Sequence, residues 1–408
     1  MDDIANQSPP PDSPIEVGQP SAQGAAAGAS AAPSAASRPA PTGIWRFVRR
    51  LLLSEYFILY LMIVYFIILV PLLPTLSRPQ NLANLLSNTW PLLAVAVGQT
   101  FVLIIAGIDL SQGSVMALTS VIGAAIFATA ASPDVLSNSP LWGIVITENG
   151  GLLSGNPLSV PVGVAVMFGV AALIGLFNGT AVARFNMPAF MVTLVGMIFF
   201  SAFAIFLTQS ENIRNLPEAY IQLGKGDIVS LYFGEQAESQ IPRRQIYSFL
   251  TYPMVIAVGL AVTAHFMLSR TVFGRQVYAI GMNRQAAEIS GIPVRRVITL
   301  VFMFSAFCAA VGAILFSARL EAGRPTLGAG TALLDIIGAT VIGGTSLFGG
   351  KGKVLWTFFG VLFFVLLSNT LNLMNLPSTQ IDMVKGGVIV GAALLDVLRN
   401  RLLSREGT

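Results

Sequence analysis

Gln99–Ser120 reads QTFVLIIAGIDLSQGSVMALTS, two apolar runs parted by Gly107, Asp109, Ser111 and Gln112. It lies within about forty largely apolar residues, roughly twice what one helical crossing of a bilayer needs. A carboxylate at membrane depth is costly unless it is solvated, paired or capping a helix. Broken helices are tolerated there only where they are buried in protein or line a cavity. The stretch therefore reads as two membrane spans joined by a polar break. Two roles stay open for Asp109: contact with a substrate, or an N-cap in which Asp109 or Ser111 accepts backbone N–H groups of the following helix.

The rest of the chain supports a membrane reading. Of its 408 residues 54% are hydrophobic and only 10% charged, with a mean hydropathy of +0.74, whereas soluble domains carry about a quarter charged residues. Ten candidate spans follow: Tyr56–Leu76, Trp90–Ala106, Gly113–Ala131, Leu158–Ala181, Ala189–Thr208, Phe249–Leu268, Val297–Ala318, Thr331–Phe348, Val354–Met374 and Ile381–Leu398. The expected fold is an all-α polytopic membrane protein of about ten transmembrane helices with broken or re-entrant segments. Residues 1–43, rich in Pro, Ala, Ser and Gly, read as a disordered cytoplasmic tail, and 44–408 as the transmembrane domain. The tail lacks the basic start and apolar continuation of a signal peptide.

One Cys and one His exclude a disulfide scaffold and any clustered Cys/His metal site. Cys308 and His265, both in apolar runs, read as packing residues. The pI of about 9.4 reflects arginines at membrane edges rather than nucleic-acid binding. With both termini cytoplasmic, fifteen of the 23 Lys and Arg fall inside and seven outside, while Lys385 lies within a span. Residues 209–247 then face outward and 269–296 the cytoplasm.

VIGGTSLFGGKGKV, Val341–Val354, invites comparison with a phosphate-binding loop, which needs G-x-x-x-x-G-K-[ST]. Around Lys351 the first Gly is replaced by Thr345 and the final hydroxyl by Gly352; around Lys353 the same places hold Leu347 and Val354. The stretch is not a nucleotide site. It reads as a re-entry between spans, its glycines allowing tight backbone packing. Gly107–Gly113 and Gly344–Gly350 share G-x-x-L-x-x-G between apolar runs, the trace of a possible parallel internal repeat.

Other polar groups mark a candidate pathway. Asp335, without a sequence neighbour to neutralise it, is expected to face the bundle interior or a cavity. Asp382 and Lys385 share a helix face and are expected to pair. Gln99, Asn178 and Thr193 can hydrogen-bond a hydroxylated substrate or a neighbouring helix. Gly387 and Gly391 form G-x-x-x-G, which permits close helix approach. In the basic loop, NRQAAEISGI reads as a short amphipathic helix with Asn283 as cap, Gly291 as terminator, Pro293 blocking continuation, and Ala286, Ala287 and Ile289 offered to a partner.

AGIDLSQGSVMAL, PAFMVTLVGM, TVFGRQVYAIGMNRQAAEISGI, AGRPTLGAGTALLDIIGATVIGGTSLFGGKGKV and IVGAALLDVL occur in the order found in one family. Together they resemble the ribose-type sugar permeases of bacterial ABC importers, over about residues 50–400. The resemblance implies a bacterial inner-membrane permease that pairs with a second copy of itself, binds a cytoplasmic ABC ATPase and receives sugar from a periplasmic sugar-binding protein. It implies no cofactor and no catalytic residues on this chain. It also implies that Asn283, Ala286, Ala287, Glu288 and Gly291 form the ATPase-coupling loop, although Glu288 follows the two Ala where importers have it before them. Ala106 and Gln112 stand where the family commonly has Gly and Val. The alternative is an ion-coupled secondary sugar transporter, which would use Asp109 or Asp335 as coupling carboxylates.

Overall fold

The computed structural model describes residues 54, 56–232 and 246–404. The tail expected over 1–43 and the middle of the loop 209–247 lie outside the described residues. In chain order the helices are α1 (Phe57–Leu69), α2 (Pro79–Ile104), α3 (Gln112–Phe127), α4 (Pro133–Leu136), α5 (Ser159–Arg184), α6 (Ala189–Thr208), α7 (Glu218–Lys225), α8 (Tyr252–Arg270), α9 (Val272–Met282), α10 (Arg284–Ile289), α11 (Val294–Arg319), α12 (Ala332–Ile342), α13 (Val354–Leu373) and α14 (Ser378–Ser404). Strands β1 (Asp227–Tyr232) and β2 (Ile246–Thr251) pair antiparallel between α7 and α8.

Among the described residues, six helices are long and apolar enough to cross a membrane: α2, α5, α6, α8, α11 and α13. The shorter α1, α3 and α12 are also apolar, and α14 runs 27 residues. The chain is an all-α polytopic membrane protein. Pro71 and Pro74 end the first expected span early, because proline removes a helix hydrogen-bond donor. The second begins earlier than expected, at Pro79, since its first turns carry the polar Gln80, Asn81, Asn84 and Asn88 yet remain helical.

Burial divides the helices into core and periphery. About 83% of the apolar window of α2 and 72% of that of α11 is buried, against 22% for α6 and α8. Val195, Ile198, Phe199 and Phe206 project from α6 with more than half their surface exposed, a hydrocarbon-facing pattern no water-exposed helix sustains. Glycines let the core helices approach closely. A Cβ on Gly98 would lie 2.8 Å from Cys308 Cβ, and Cβ atoms on Gly175 and Gly179 of α5 would lie 2.7 Å from the Met303 and Thr299 Cα atoms of α11.

Three expectations change here. Gly387 and Gly391 have nothing within 4 Å of a Cβ, so among the described residues their face of α14 makes no close approach. His265 is exposed on α8 rather than packed, whereas Cys308 is fully buried. Lys385 does not pair with Asp382; its Nζ reaches Asp335 Oδ2 on α12 at 2.9 Å.

Candidate functional site

A cavity of about 400 Å³ opens where one end of α2, α3, α11, α12, α13 and α14 converge. Asn88, Leu92 and Val95 of α2 line it at helical spacing, as do Phe364, Ser368 and Asn372 of α13. Asp335 and Ile336 come from α12, and Lys385 from α14. Broken backbone over 320–331 supplies Leu327 and Gly328, held against α3 because Gly113 leaves room for the Gly328 carbonyl. Irregular chain at this depth fits its position along a cavity wall.

The lining mixes amides, one hydroxyl, one ion pair and two aromatic rings, Phe316 and Phe364. Asn88 Oδ1 accepts from Arg319 Nη1 at 2.7 Å, and Asn369 exchanges two 2.9 Å hydrogen bonds with Asn81. Asp335 and Lys385 cancel in charge, and Lys385 Nζ stands 5.7 Å from the Phe364 ring centroid. Such a site offers donors, acceptors and flat apolar faces without net charge, the combination that a neutral hydroxylated solute requires.

Asp109 and Asn178 lie elsewhere. Asp109 is 2% exposed and closes a buried network among α3, α5 and α11. Its Oδ1 accepts from the Ser111 N–H at 2.9 Å and the Ser111 hydroxyl at 2.6 Å, and its Oδ2 from the Ser305 hydroxyl at 2.7 Å. Asn178 Nδ2 donates to Ser111 Oγ, and Gln112 Nε2 to Ser305 Oγ, each at 2.9 Å. Amides thus donate to hydroxyls and hydroxyls to the carboxylate. Asp109 bonds Ser111 one residue before α3 begins, so it organises the turn instead of capping the helix. Thr193 donates to the carbonyls of Ile108 and Ala189. Gln99 is wholly buried, and among the described residues neither of its amide atoms has a partner. Of the five pathway candidates only Asp335 lines the cavity.

At the other end of α2, about 24 Å from Asn88 at 1.5 Å per residue, the chain builds a second feature. Asn283 Oδ1 accepts the Ala286 N–H at 3.0 Å and starts α10, and Gly291, at φ +80°, ends it. Ala286, Glu288 and Ile289 are exposed, but Ala287 is 4% exposed and packs inward, so it is not available to a partner as expected. Helix α9 joins this helix to the core. Gly281 has its backbone against the Ile104 carbonyl, where any Cβ would overlap the oxygen. The Gly350 N–H donates to that carbonyl at 2.8 Å, and the Tyr278 hydroxyl donates to the Gly352 carbonyl at 2.6 Å. Burial raises the Tyr278 phenol above its ordinary pKa, keeping it a donor. Arg284 reaches Asn186, in the turn between α5 and α6, at 2.9 Å.

The glycine-rich stretch 341–354 is the turn from α12 to α13. Gly349 abuts Ala106, whose Cβ would lie 2.8 Å from a Cβ there, so the second G-x-x-L-x-x-G break meets the residue just before the first.

Residues 81–393 match a family model described as "Branched-chain amino acid transport system / permease component". The chain is 31% identical over 327 residues to the ribose import permease protein RbsC of Haemophilus influenzae, covering 79% of this chain and 87% of that protein. It is 30% identical to the xylose transport system permease protein XylH of Escherichia coli K12, covering 79% and 86%. The chain belongs to the ribose-type sugar permease family. Escherichia coli K12 RbsC matches 86% of the chain at 31% identity. No solved structure matches the chain. These relatives are named as import or transport permeases, and among the described residues no three His, Cys, Asp or Glu cluster to hold a metal. The sequence missed the cavity's Asn88, Asn369 and Asn372, although amides recurring on otherwise apolar helices were the available signal.

Proposed function

We propose that this chain is the membrane-spanning permease subunit of an ATP-driven monosaccharide importer in a bacterial inner membrane. Two copies work with a cytoplasmic ATPase and a periplasmic sugar-binding protein. The observation that carries the reading is the neutral, amide-lined cavity in a chain whose relatives are ribose and xylose permeases. With both termini cytoplasmic, the cavity opens to the periplasm, where the binding protein delivers sugar, and α10 faces the ATPase. The six long helices together with α1, α3, α12 and α14 would make about ten spans, an even number as this orientation requires, with α3 and α12 as partial crossings around the two glycine breaks.

Ion coupling is less well supported. A coupling carboxylate must exchange its proton or cation with the pathway; Asp109 is surrounded by hydroxyls in the helix core and Asp335 is paired with Lys385. Mechanically, movement of α10 reaches the end of α2 through α9. The exposed Ile289 and Glu288 of α10 form the ATPase contact, while buried Ala287 fixes its orientation.

Gentle solubilisation of membranes, capture of the chain through a C-terminal tag and identification of retained proteins tests the assignment. Stoichiometric ATPase is the expected companion. A homo-oligomer that accumulates sugar in liposomes on an ion gradient alone would overturn it.

A further inference from the structure

We propose that Gln99 is a second sugar contact, on a closed continuation of the cavity that leads inward along α2. The inference rests on the sugar-permease reading above and adds a position and a chemistry to it. Its first support is geometric. Asn88, Leu92 and Val95 form the cavity-facing stripe of α2; Gln99 is the next member at the same spacing, about 6 Å deeper at 1.5 Å per residue.

The second support is an unmet hydrogen-bonding need. Among the described residues, Gln99 is 0% exposed and both its Oε1 and Nε2 lack a partner. A primary amide stranded in the interior forfeits its hydration without compensation, and such groups in native proteins call for an explanation. Among the described residues, four other side-chain atoms share this state: Asp335 Oδ1 at the cavity, Thr345 Oγ1 in the α12–α13 turn, and Gln112 Oε1 and Asn178 Oδ1 in the Asp109 network. Thr345 lies beside the end of α2, because a Cβ on Gly352 would stand 2.8 Å from Thr345 Cγ2 and 2.9 Å from Ile104 Cγ1.

The third support is a closure that can open. Below Gln99 the line is sealed by the Gly350 N–H bond to the Ile104 carbonyl and by Gly281 of α9 pressed on that carbonyl. The Gly350–Ile104 bond joins backbone to backbone, and α9 leads directly to α10. When α9 withdraws, the seal parts and Gln99 becomes accessible. Its amide then accepts from one sugar hydroxyl and donates to another, the two-sided recognition a neutral polyol offers and an ion does not.

Two readouts test this. In the first, Gln99→Leu is assayed for uptake of radiolabelled D-ribose and D-xylose by cells carrying the chain with its ATPase and binding protein. Its thermal unfolding is measured in parallel on the purified chain. Gln99→Leu is expected to raise the unfolding temperature, because an unpaired polar group is removed, while uptake falls about tenfold, the loss of one hydrogen bond to a polar substrate. In the second, Gln99→Cys is placed in a Cys308→Ala background, which leaves no other thiol, and membranes are treated with a maleimide. Protection at rest and labelling once ATP is supplied is expected. Wild-type-like uptake by Gln99→Leu, or a Gln99→Cys thiol that stays protected through turnover, would overturn the proposal. Failure of the unaltered chain to take up either sugar would instead count against the sugar-permease reading.

Discussion

Breaking the Asp335–Lys385 pair from either side should destabilise the protein far more than removing both charges. The two atoms stand 2.9 Å apart, with side-chain exposures of 22% and 11%. At that separation the gross attraction is about 6 kcal/mol for an effective dielectric constant of about 20, and desolvation of both ions offsets much of it. Lys385→Met leaves a carboxylate whose Oδ1 already lacks a partner among the described residues. Asp335→Asn takes the bonded carboxylate from the ammonium, which then faces the Phe364 ring 5.7 Å away, with Asp382 three residues before it on α14. Each single substitution should cost about 3 kcal/mol, the range for a stranded buried charge. The double variant Asp335→Asn/Lys385→Met should cost about 1 kcal/mol, giving a coupling energy of several kcal/mol. Thermal or denaturant unfolding of the four purified proteins closes the cycle. Additive effects, with coupling under about 0.5 kcal/mol, would refute the view that the pair keeps the cavity neutral.

Gly281→Val should abolish uptake and detach ATP hydrolysis from transport, because any Cβ there overlaps the Ile104 carbonyl; stimulation of the ATPase by sugar-loaded binding protein measures it. Ile289→Asp, at a side chain 88% exposed, should leave unfolding within about 0.5 kcal/mol yet reduce ATPase recovered on co-purification. Asp109→Leu should cost about 3 kcal/mol, since two hydroxyl groups and one N–H lose their acceptor. Asp109→Asn should keep most uptake, as one oxygen remains to accept; complete loss with normal expression would favour a coupling role for the carboxylate.

The fold class and the break after α2 were legible because composition and Gly107–Gln112 state them locally. The positions of polar side chains were not. Asp109 and Asp335 look alike in sequence, each a carboxylate on an apolar run, yet one is bonded by Ser111, just before α3, and Ser305 of α11, and the other by a lysine 50 residues away. Asp382 sat three residues from Lys385 and lost to Asp335, because tertiary approach of α12 and α14 outweighed helix spacing. The capping of α10 by Asn283 was readable, being a bond between residues 283 and 286. The burial of Ala287 depends on how α10 lies on α11 and was not.

Sugar movement through this chain, on the proposed function, is driven by ATP hydrolysed on a partner. Proteoliposomes holding the chain and its ATPase, with binding protein and radiolabelled D-ribose or D-xylose on the binding-protein side, test it most directly. Accumulation should require ATP on the ATPase side and survive collapse of proton and sodium gradients. Accumulation that follows an ion gradient, without ATP or ATPase, would contradict the account.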